Sequence, residues 1–245
     1  SKQRATWEAI YEKKNEEFLK NPPVGKDLLR WKYQRYVKEY CRTIRSVDEQ
    51  VGRLLDYLEE KGVLDNTVIV YTSDQGFLLG EHGLYDKRFM YEESFRTPLI
   101  ISCPSLVKKH SVCKELVQNI DLAPTFLSLA GVEVPKEMSG RSLLPLFKNG
   151  KAENWRNELY YHFYDYPAVG SVRKHDGIRT KRYKLIHWYG EGSGNDEAID
   201  FWELYDLKKD VMEVNNVYDN PKYVKVREAL TVQLEKLRKD VGVTE

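Results

Sequence analysis

The first half of the chain combines one long helical pattern with short apolar runs. Between Trp31 and Lys61, apolar side chains recur every three or four residues, which predicts an amphipathic helix that packs on a sheet and stops at Gly62. The β-branched run in NTVIVYTSD follows and predicts a strand buried on both faces within a parallel sheet. A helix followed by a buried strand favours an α/β fold. The first thirty residues are polar and aromatic and end in the turn-rich segment KNPPVGKD.

Further segments continue this pattern as far as residue 150. TPLIISCP predicts a second buried strand, and VCKELVQNIDLAPTFLSLAGV predicts a further strand or extended segment followed by a helix. Asp121 suits the N-cap of that helix, and Gly131 suits its end. Residues 134–154 are marked by proline and glycine, which predicts a linker over the surface.

The pattern changes at about Trp155. NELYYHFYDY, DGIRTKRYKLIHWY and DFWELYDL predict antiparallel strands joined by turns, and PKYVKVREALTVQLEKLRKDVG predicts a C-terminal amphipathic helix. We therefore expect an α/β part over residues 1–150 and a small α+β subdomain with an antiparallel sheet over residues 151–245.

Composition narrows the classes of function. The 39 basic and 38 acidic residues give a net charge of +1, so no overall field favours a nucleic acid or a membrane surface as partner. No segment has the length of apolar sequence that spans a bilayer, and the first residues do not resemble a signal peptide. Cys41, Cys103 and Cys113 show no metal-binding spacing and are interpreted as mostly core residues.

The candidate chemistry follows the first predicted strand directly. Asp74 and Gln75 lie at the expected carboxyl end of that strand, and their oxygens suit Ca²⁺ or Mg²⁺ better than zinc, although a simple turn is the alternative reading of this pair. The loop continues with Glu81 and His82 between two glycines, and then with the consecutive charges Asp86, Lys87 and Arg88. A lysine beside an arginine fork suits an oxyanion. The loop therefore predicts half of a metal-assisted anion site.

Two histidines lie in the predicted small sheet. His162 stands in an aromatic strand, where a structural role is the simpler interpretation. His175 stands among basic residues beside a glycine turn, where a structural and a functional role are both open. The charge run from Arg173 to Lys184 is typical of a solvated hairpin, with attraction of an acidic glycan as the alternative.

These segments carry a resemblance to a known family. SDQGFLLGEHGLYDKRFMYEESFRTPLII resembles the C-terminal signature of the sulfatase family, and the segments before and after it are similar to their counterparts there. The resemblance covers the chain from about Trp31 onward. It is strongest to carbohydrate sulfatases such as N-acetylglucosamine-6-sulfatases, through the strings DKR and GIRTKRYKLI. It implies the C-terminal part of the alkaline-phosphatase-like α/β fold, followed by the small subdomain.

The resemblance also implies a role for each candidate residue. Asp74 and Gln75 would ligate Ca²⁺, and Lys87 would contact the sulfate and stabilise charge on the ester oxygen. His82 would either touch the sulfate or order the loop. The residues expected to recognise the sugar are Asp86, Arg88 and His175. The expected substrate is a sulfated carbohydrate of glycosaminoglycan type, and the expected location is periplasmic, secreted or lysosome-like.

The family's nucleophile has no counterpart in this chain. Sulfatases use a formylglycine made from the first residue of a Cys/Ser-x-Pro-x-Arg motif, and none of the cysteines or serines starts that motif. We therefore expect this chain to be the C-terminal portion of a sulfatase, partnered by a missing N-terminal part and inactive alone. The alternatives are a phosphonate or phosphodiester hydrolase of the same superfamily and a non-catalytic glycan-binding module derived from the fold.

Overall fold

The computed structural model describes residues 2–167, 170–194 and 196–243. The chain divides into two compact units, residues 1–64 and residues 65–245. The helices are α1 (Lys2–Lys20), α2 (Gly25–Glu60), α3 (Glu92–Phe95), α4 (Leu122–Leu129), α5 (Leu144–Phe147) and α6 (Val224–Asp240). The strands are β1 (Ile69–Thr72), β2 (Leu99–Ser102), β3 (Glu158–Phe163), β4 (His175–Thr180), β5 (Tyr183–Gly190) and β6 (Ile199–Asp206).

The first unit is a pair of helices. The helix predicted from Trp31 is confirmed as α2, which begins earlier, and the residues before it form α1, which the sequence pattern did not predict. The Phe18 and Trp31 rings stack at 4.2 Å between the two helices. No described residue of α2 is buried, and Ile44, Val47 and Leu54 of its apolar stripe are exposed. Among the described residues, no helix combines the length and the apolar character needed to cross a membrane.

The first two strands form an antiparallel pair, so the prediction of parallel strands buried on both faces was wrong. In the described residues, β1 and β2 pair only with each other. Tyr71 is 39% exposed and Ile100 is 63% exposed. A strand is covered on both faces only where further layers flank it, and no such layer covers these side chains here.

Residues around α4 form a buried core that corrects three predictions. Gly131 has a φ of 70° just beyond the end of α4, as predicted for a helix stop. Asp121 lies at the N-cap position of α4, as predicted, but its side chain forms no capping hydrogen bond there, and its carboxylate is buried and paired with Arg156. Residues 134–154 contain α5 and a buried apolar cluster, so they are not a surface linker. Of the three cysteines, only Cys103 is buried.

The predicted antiparallel strands and C-terminal helix are confirmed. Strands β3, β4, β5 and β6 form a sheet in that order, with every neighbouring pair antiparallel. Helix α6 packs on one face of this sheet through Leu230 and Leu234. The opposite face packs against Met90 and Tyr91, which lie in the loop that carries the candidate residues. The predicted boundary at residue 150 falls inside the second unit, and the division there remains a prediction.

Candidate active site

The loop after β1 presents Asp74 and Gln75 from a fixed backbone. The Ser73 hydroxyl donates to the Gln75 carbonyl at 2.7 Å. The side-chain amide of Asn119 donates to the carbonyls of Ser73 and Asp74 at 3.1 and 3.0 Å. The sequence analysis did not predict a role for Asn119. Its place in a polar segment before a helix was the one available signal. These bonds hold the backbone and leave the exposed Asp74 carboxylate and the half-buried Gln75 amide available to a ligand.

Gly76 brings this loop into contact with α3. Its amide donates to the Ser94 carbonyl at 2.7 Å. A Cβ atom built on Gly76 would lie 2.0 Å from the Glu93 carbonyl oxygen. The two backbones therefore approach so closely that only glycine fits between them.

The Asp-Lys-Arg turn is organised by its own carboxylate. Asp86 Oδ1 accepts hydrogen bonds from the Lys87 amide, at 2.7 Å, and from the Arg88 guanidinium. The Tyr161 hydroxyl donates to the Arg88 carbonyl at 3.0 Å. Asp86 and Arg88 are thus paired with each other, and the exposed Lys87 ammonium projects from a braced turn.

Four of the seven predicted site residues line one cleft of about 1330 Å³. They are Asp74, Gln75, Lys87 and Arg88. The same cleft is bordered by further basic side chains, Arg96, Lys114, Arg179 and Lys181. The structure therefore brings the candidate metal ligands and the candidate anion-binding lysine into one cleft, whose charged lining has more basic than acidic side chains. His82, Asp86 and His175 do not line it.

His82 packs inside the loop. Its ring stacks on Tyr91 with centroids 4.3 Å apart, and its Nε2 atom lies 3.6 Å from Glu93 Oε2. Its backbone has a φ of 55°, in the left-handed region, at the tip of the loop. These contacts favour the loop-ordering role of His82 over direct contact with a ligand.

His175 is corrected to a core residue. It is 0% exposed, with its ring stacked on Trp188 at 4.1 Å and its Nδ1 atom 2.9 Å from the Arg173 carbonyl oxygen. Burial lowers the pKa of its imidazole to about 4, because the charged form is poorly solvated there. A side chain covered in this way does not reach a sugar in the cleft. The sequence did not reveal this burial, because the basic neighbours of His175 suggested a solvated surface.

The donor set fits Ca²⁺ only in part. Asp74 and Gln75 offer a carboxylate and an amide oxygen, which are the hard ligands that Ca²⁺ prefers. Within the described ranges, no group of three or more His, Cys, Asp or Glu side chains is arranged to hold a metal ion. Because Ca²⁺ takes six to eight oxygen ligands, these two residues would supply a minority of its shell.

Comparisons with known proteins show which families the chain resembles. Residues 2–132 match the family profile described as sulfatase, and residues 80–240 match the one described as N-sulphoglucosamine sulphohydrolase, C-terminal. An N-acetylglucosamine-6-O-sulfatase of Bacteroides thetaiotaomicron is 50% identical over 235 residues, which cover 95% of this chain and 41% of that protein. The multifunctional alkaline phosphatase superfamily protein PehA of Trinickia caryophylli is 35% identical, over 75% of this chain and 36% of its own length.

A solved structure extends the likeness to the fold. The structure of BT4656 in complex with its substrate, D-glucosamine-2-N,6-O-disulfate, superposes with a TM-score of 0.89 at 48% identity. The match covers 100% of this chain and 49% of that one. This chain therefore spans less than half the length of each of these three relatives.

Proposed function

The chain belongs to the sulfatase family, and on that premise we propose that it forms one wall of the active site of a carbohydrate sulfatase. The observation that carries the proposal is the shared cleft of Asp74, Gln75 and Lys87. The proposed substrate is a 6-O-sulfated glucosamine, since both the 50% identical relative and the substrate-bound structure concern sulfated glucosamine.

The residues of this chain would act by binding and by charge. Asp74 and Gln75 would hold part of the shell of a Ca²⁺ ion, which supplies positive charge beside the sulfate when it is bound. The Lys87 ammonium would stabilise the negative charge that develops on the ester oxygen as the S–O bond breaks. Arg88 would contact the sulfate or the sugar from the same wall, with Asp86 holding the arginine in place.

The chain by itself is proposed to lack turnover. It contains no Cys/Ser-x-Pro-x-Arg motif, so it supplies no formylglycine nucleophile. The remaining part of a longer protein would contribute that nucleophile and the other metal ligands. It would also cover the exposed side chains of β1 and β2, Tyr71 and Ile100.

The experiment compares sulfate release from N-acetylglucosamine-6-sulfate by this chain and by the longer protein. We expect turnover only from the longer protein, and a Lys87→Ala change there should lower kcat by about 10²–10³-fold. Lys225→Ala is the matched control, because Lys225 is an exposed lysine on α6, and its kcat should stay within about twofold of the parent. Robust turnover by the short chain, or equal effects of the two substitutions, would refute the proposal.

A second candidate activity rests on the PehA relative. Phosphorus esters need similar stabilisation of developing negative charge, so the same cleft suits a phosphonate or phosphodiester. Turnover of such an ester by the longer protein, above that of the sulfate ester, would favour this alternative. Glycan binding without any hydrolysis would favour a non-catalytic module.

A further inference from the structure

Each of the four strands of the small sheet contributes a side chain that contacts the loop around Lys87. We call residues 86–95 the Lys87 loop. Tyr161 of β3 donates to the Arg88 carbonyl at 3.0 Å, and Lys184 of β5 donates to the Met90 carbonyl at 2.6 Å. Arg179 of β4 forms an ion pair with Glu92 at 3.2 Å. Glu203 of β6 accepts a hydrogen bond from the Tyr91 hydroxyl at 3.2 Å. The strand register places these four side chains on one face of the sheet.

Lys184 is the most deeply buried member of this set. Its ammonium is 0% exposed and lies 2.6 Å from the Met90 carbonyl, 2.9 Å from Glu92 Oε1 and 2.7 Å from Glu213 Oε1. The Met90 carbonyl accepts a hydrogen bond from this ammonium, and the two carboxylates form ion pairs with it. Glu213 also accepts the Glu92 amide at 2.6 Å through its second oxygen. The first residue of α3 is thus held at its backbone and at its side chain.

This arrangement is not explained by stability alone. Burial of an ion pair is opposed by the loss of hydration, so apolar residues of similar volume often stabilise a core as well. Burial raises the pKa of Glu213 despite the nearby Lys184, whereas at Glu92 the opposing effects of Lys184 and Arg179 outweigh burial and lower the pKa. A largely buried network with four ionisable members is better suited to fixing one geometry.

Ser94 connects the start of α3 to both parts of the candidate site, which are the turn at Lys87 and the loop after β1. It is buried and lies in α3, two residues after Glu92. Its hydroxyl donates to the Lys87 carbonyl, and its own carbonyl accepts the Gly76 amide at 2.7 Å. The start of α3 therefore sets the backbone positions of Lys87 and of the residue next to Gln75 together.

We propose that Lys184 and Glu213 are positioning residues that hold Lys87 in register with Asp74 and Gln75 by fixing the start of α3. This inference rests on the proposed function for its kinetic consequence only. The mechanical part, that the small sheet determines the order of the Lys87 loop and of the loop at Gly76, stands on the contacts themselves. Neither residue touches the cleft.

The kinetic test uses the longer protein with Lys184→Met, Glu213→Gln and the double variant. Lys184→Met leaves two buried carboxylates with less compensation, so we expect losses of both thermal stability and kcat, the latter on the order of 10²-fold, with KM within about threefold of the parent. The milder Glu213→Gln should lower kcat by about tenfold and covers the case in which Lys184→Met does not fold. The double variant removes both charges, so its stability should partly recover while its kcat stays low.

Arg238→Met is the matched control. Arg238 forms a bidentate pair with the buried Asp176 at 2.6 Å in the same small subdomain, and among the described residues no hydrogen bond or ion pair joins either of them to the Lys87 loop. We expect this variant to lose stability and to keep its kcat within about twofold. Recovery of kcat in step with stability in the double variant, or equal kcat losses in Lys184→Met and Arg238→Met, would reduce Lys184 to a structural role and overturn the proposal.

Hydrogen exchange in the present chain tests the mechanical part without any reaction. The amides of Glu92 and Gly76 should exchange at least about tenfold faster in Glu213→Gln and Lys184→Met, and should be unchanged in Arg238→Met. Unchanged exchange at Gly76 in the first two variants would overturn the coupling through Ser94. If the longer protein hydrolyses no sulfate ester while exchange behaves as expected, the proposed function fails and the coupling stands.

Discussion

Replacement of Gly76 by alanine tests the close approach between the loop after β1 and α3. The added Cβ would lie 2.0 Å from the Glu93 carbonyl oxygen and 2.9 Å from its carbon. Both atoms belong to backbone, so relief requires the two segments to separate by more than an ångström. That movement also breaks the hydrogen bond from the Gly76 amide to the Ser94 carbonyl, which is 2.7 Å long.

Two effects contribute to the expected magnitude. Forcing extra volume into a well-packed site costs about 1–3 kcal/mol, and a buried backbone group that loses its partner costs a similar amount. We therefore expect Gly76→Ala to lower the free energy of unfolding by about 4 kcal/mol. In a unit of this size, that corresponds to a fall in Tm of roughly 8–16 °C.

Gly83→Ala is the matched control for this measurement. It introduces the same methyl group in the same polar loop, at a φ of 73°, but the new Cβ would meet nothing within 4 Å. Its cost is the strain of a left-handed alanine alone, about 1 kcal/mol. The assay is thermal unfolding of parent and variants by circular dichroism. A Gly76→Ala protein whose Tm lies within about 3 °C of the parent, or falls no further than that of Gly83→Ala, would refute the close-approach argument.

Two further predictions concern buried charges. Asp121→Asn leaves the Arg156 guanidinium, whose side chain is 8% exposed, without its buried carboxylate. It should lower the free energy of unfolding in urea by about 3–5 kcal/mol. The control Asp219→Asn, at a side chain that is 97% exposed, should have little effect. The depressed pKa of His175, about 4, predicts that the unfolded chain binds the proton first, so stability falls by about 3 kcal/mol as the pH drops from about 6.5 to about 4. His175→Phe keeps a ring against Trp188 and should reduce the loss of urea midpoint between pH 7 and pH 4.5, and an undiminished loss would contradict this account.

The local elements were largely predictable from sequence because their side-chain periods are local. The apolar spacing from Trp31 to Lys61 predicted most of α2, and the alternating segments after Trp155 predicted the strands of the small sheet. The direction of the pairing between β1 and β2 was not predictable, because a run of β-branched residues does not identify its partner strand.

The sequence identified residues that line the cleft of the candidate site, but it did not identify the buried residues that support them. Asp74, Gln75 and Lys87 stood out because their residue types and spacing matched a known signature. Lys184 belongs to a charge run that suggested a solvated hairpin, and only the sheet register reveals that it points into the core. Its partner Glu213 has no local signal, since the two meet through the tertiary fold.

The four-strand support of the Lys87 loop has a consequence for protein engineering. A chimera that takes only residues 86–95 from a relative would replace the loop but keep the side chains that contact it. These side chains lie far along the chain, and Glu213 is 121 residues beyond Glu92. An exchange of this loop between homologues should therefore preserve its structure only when the contacting residues are exchanged with it. These residues are Tyr161, Arg179, Lys184, Glu203 and Glu213. Designers of altered substrate range would do better to vary the exposed cleft wall and keep this set intact.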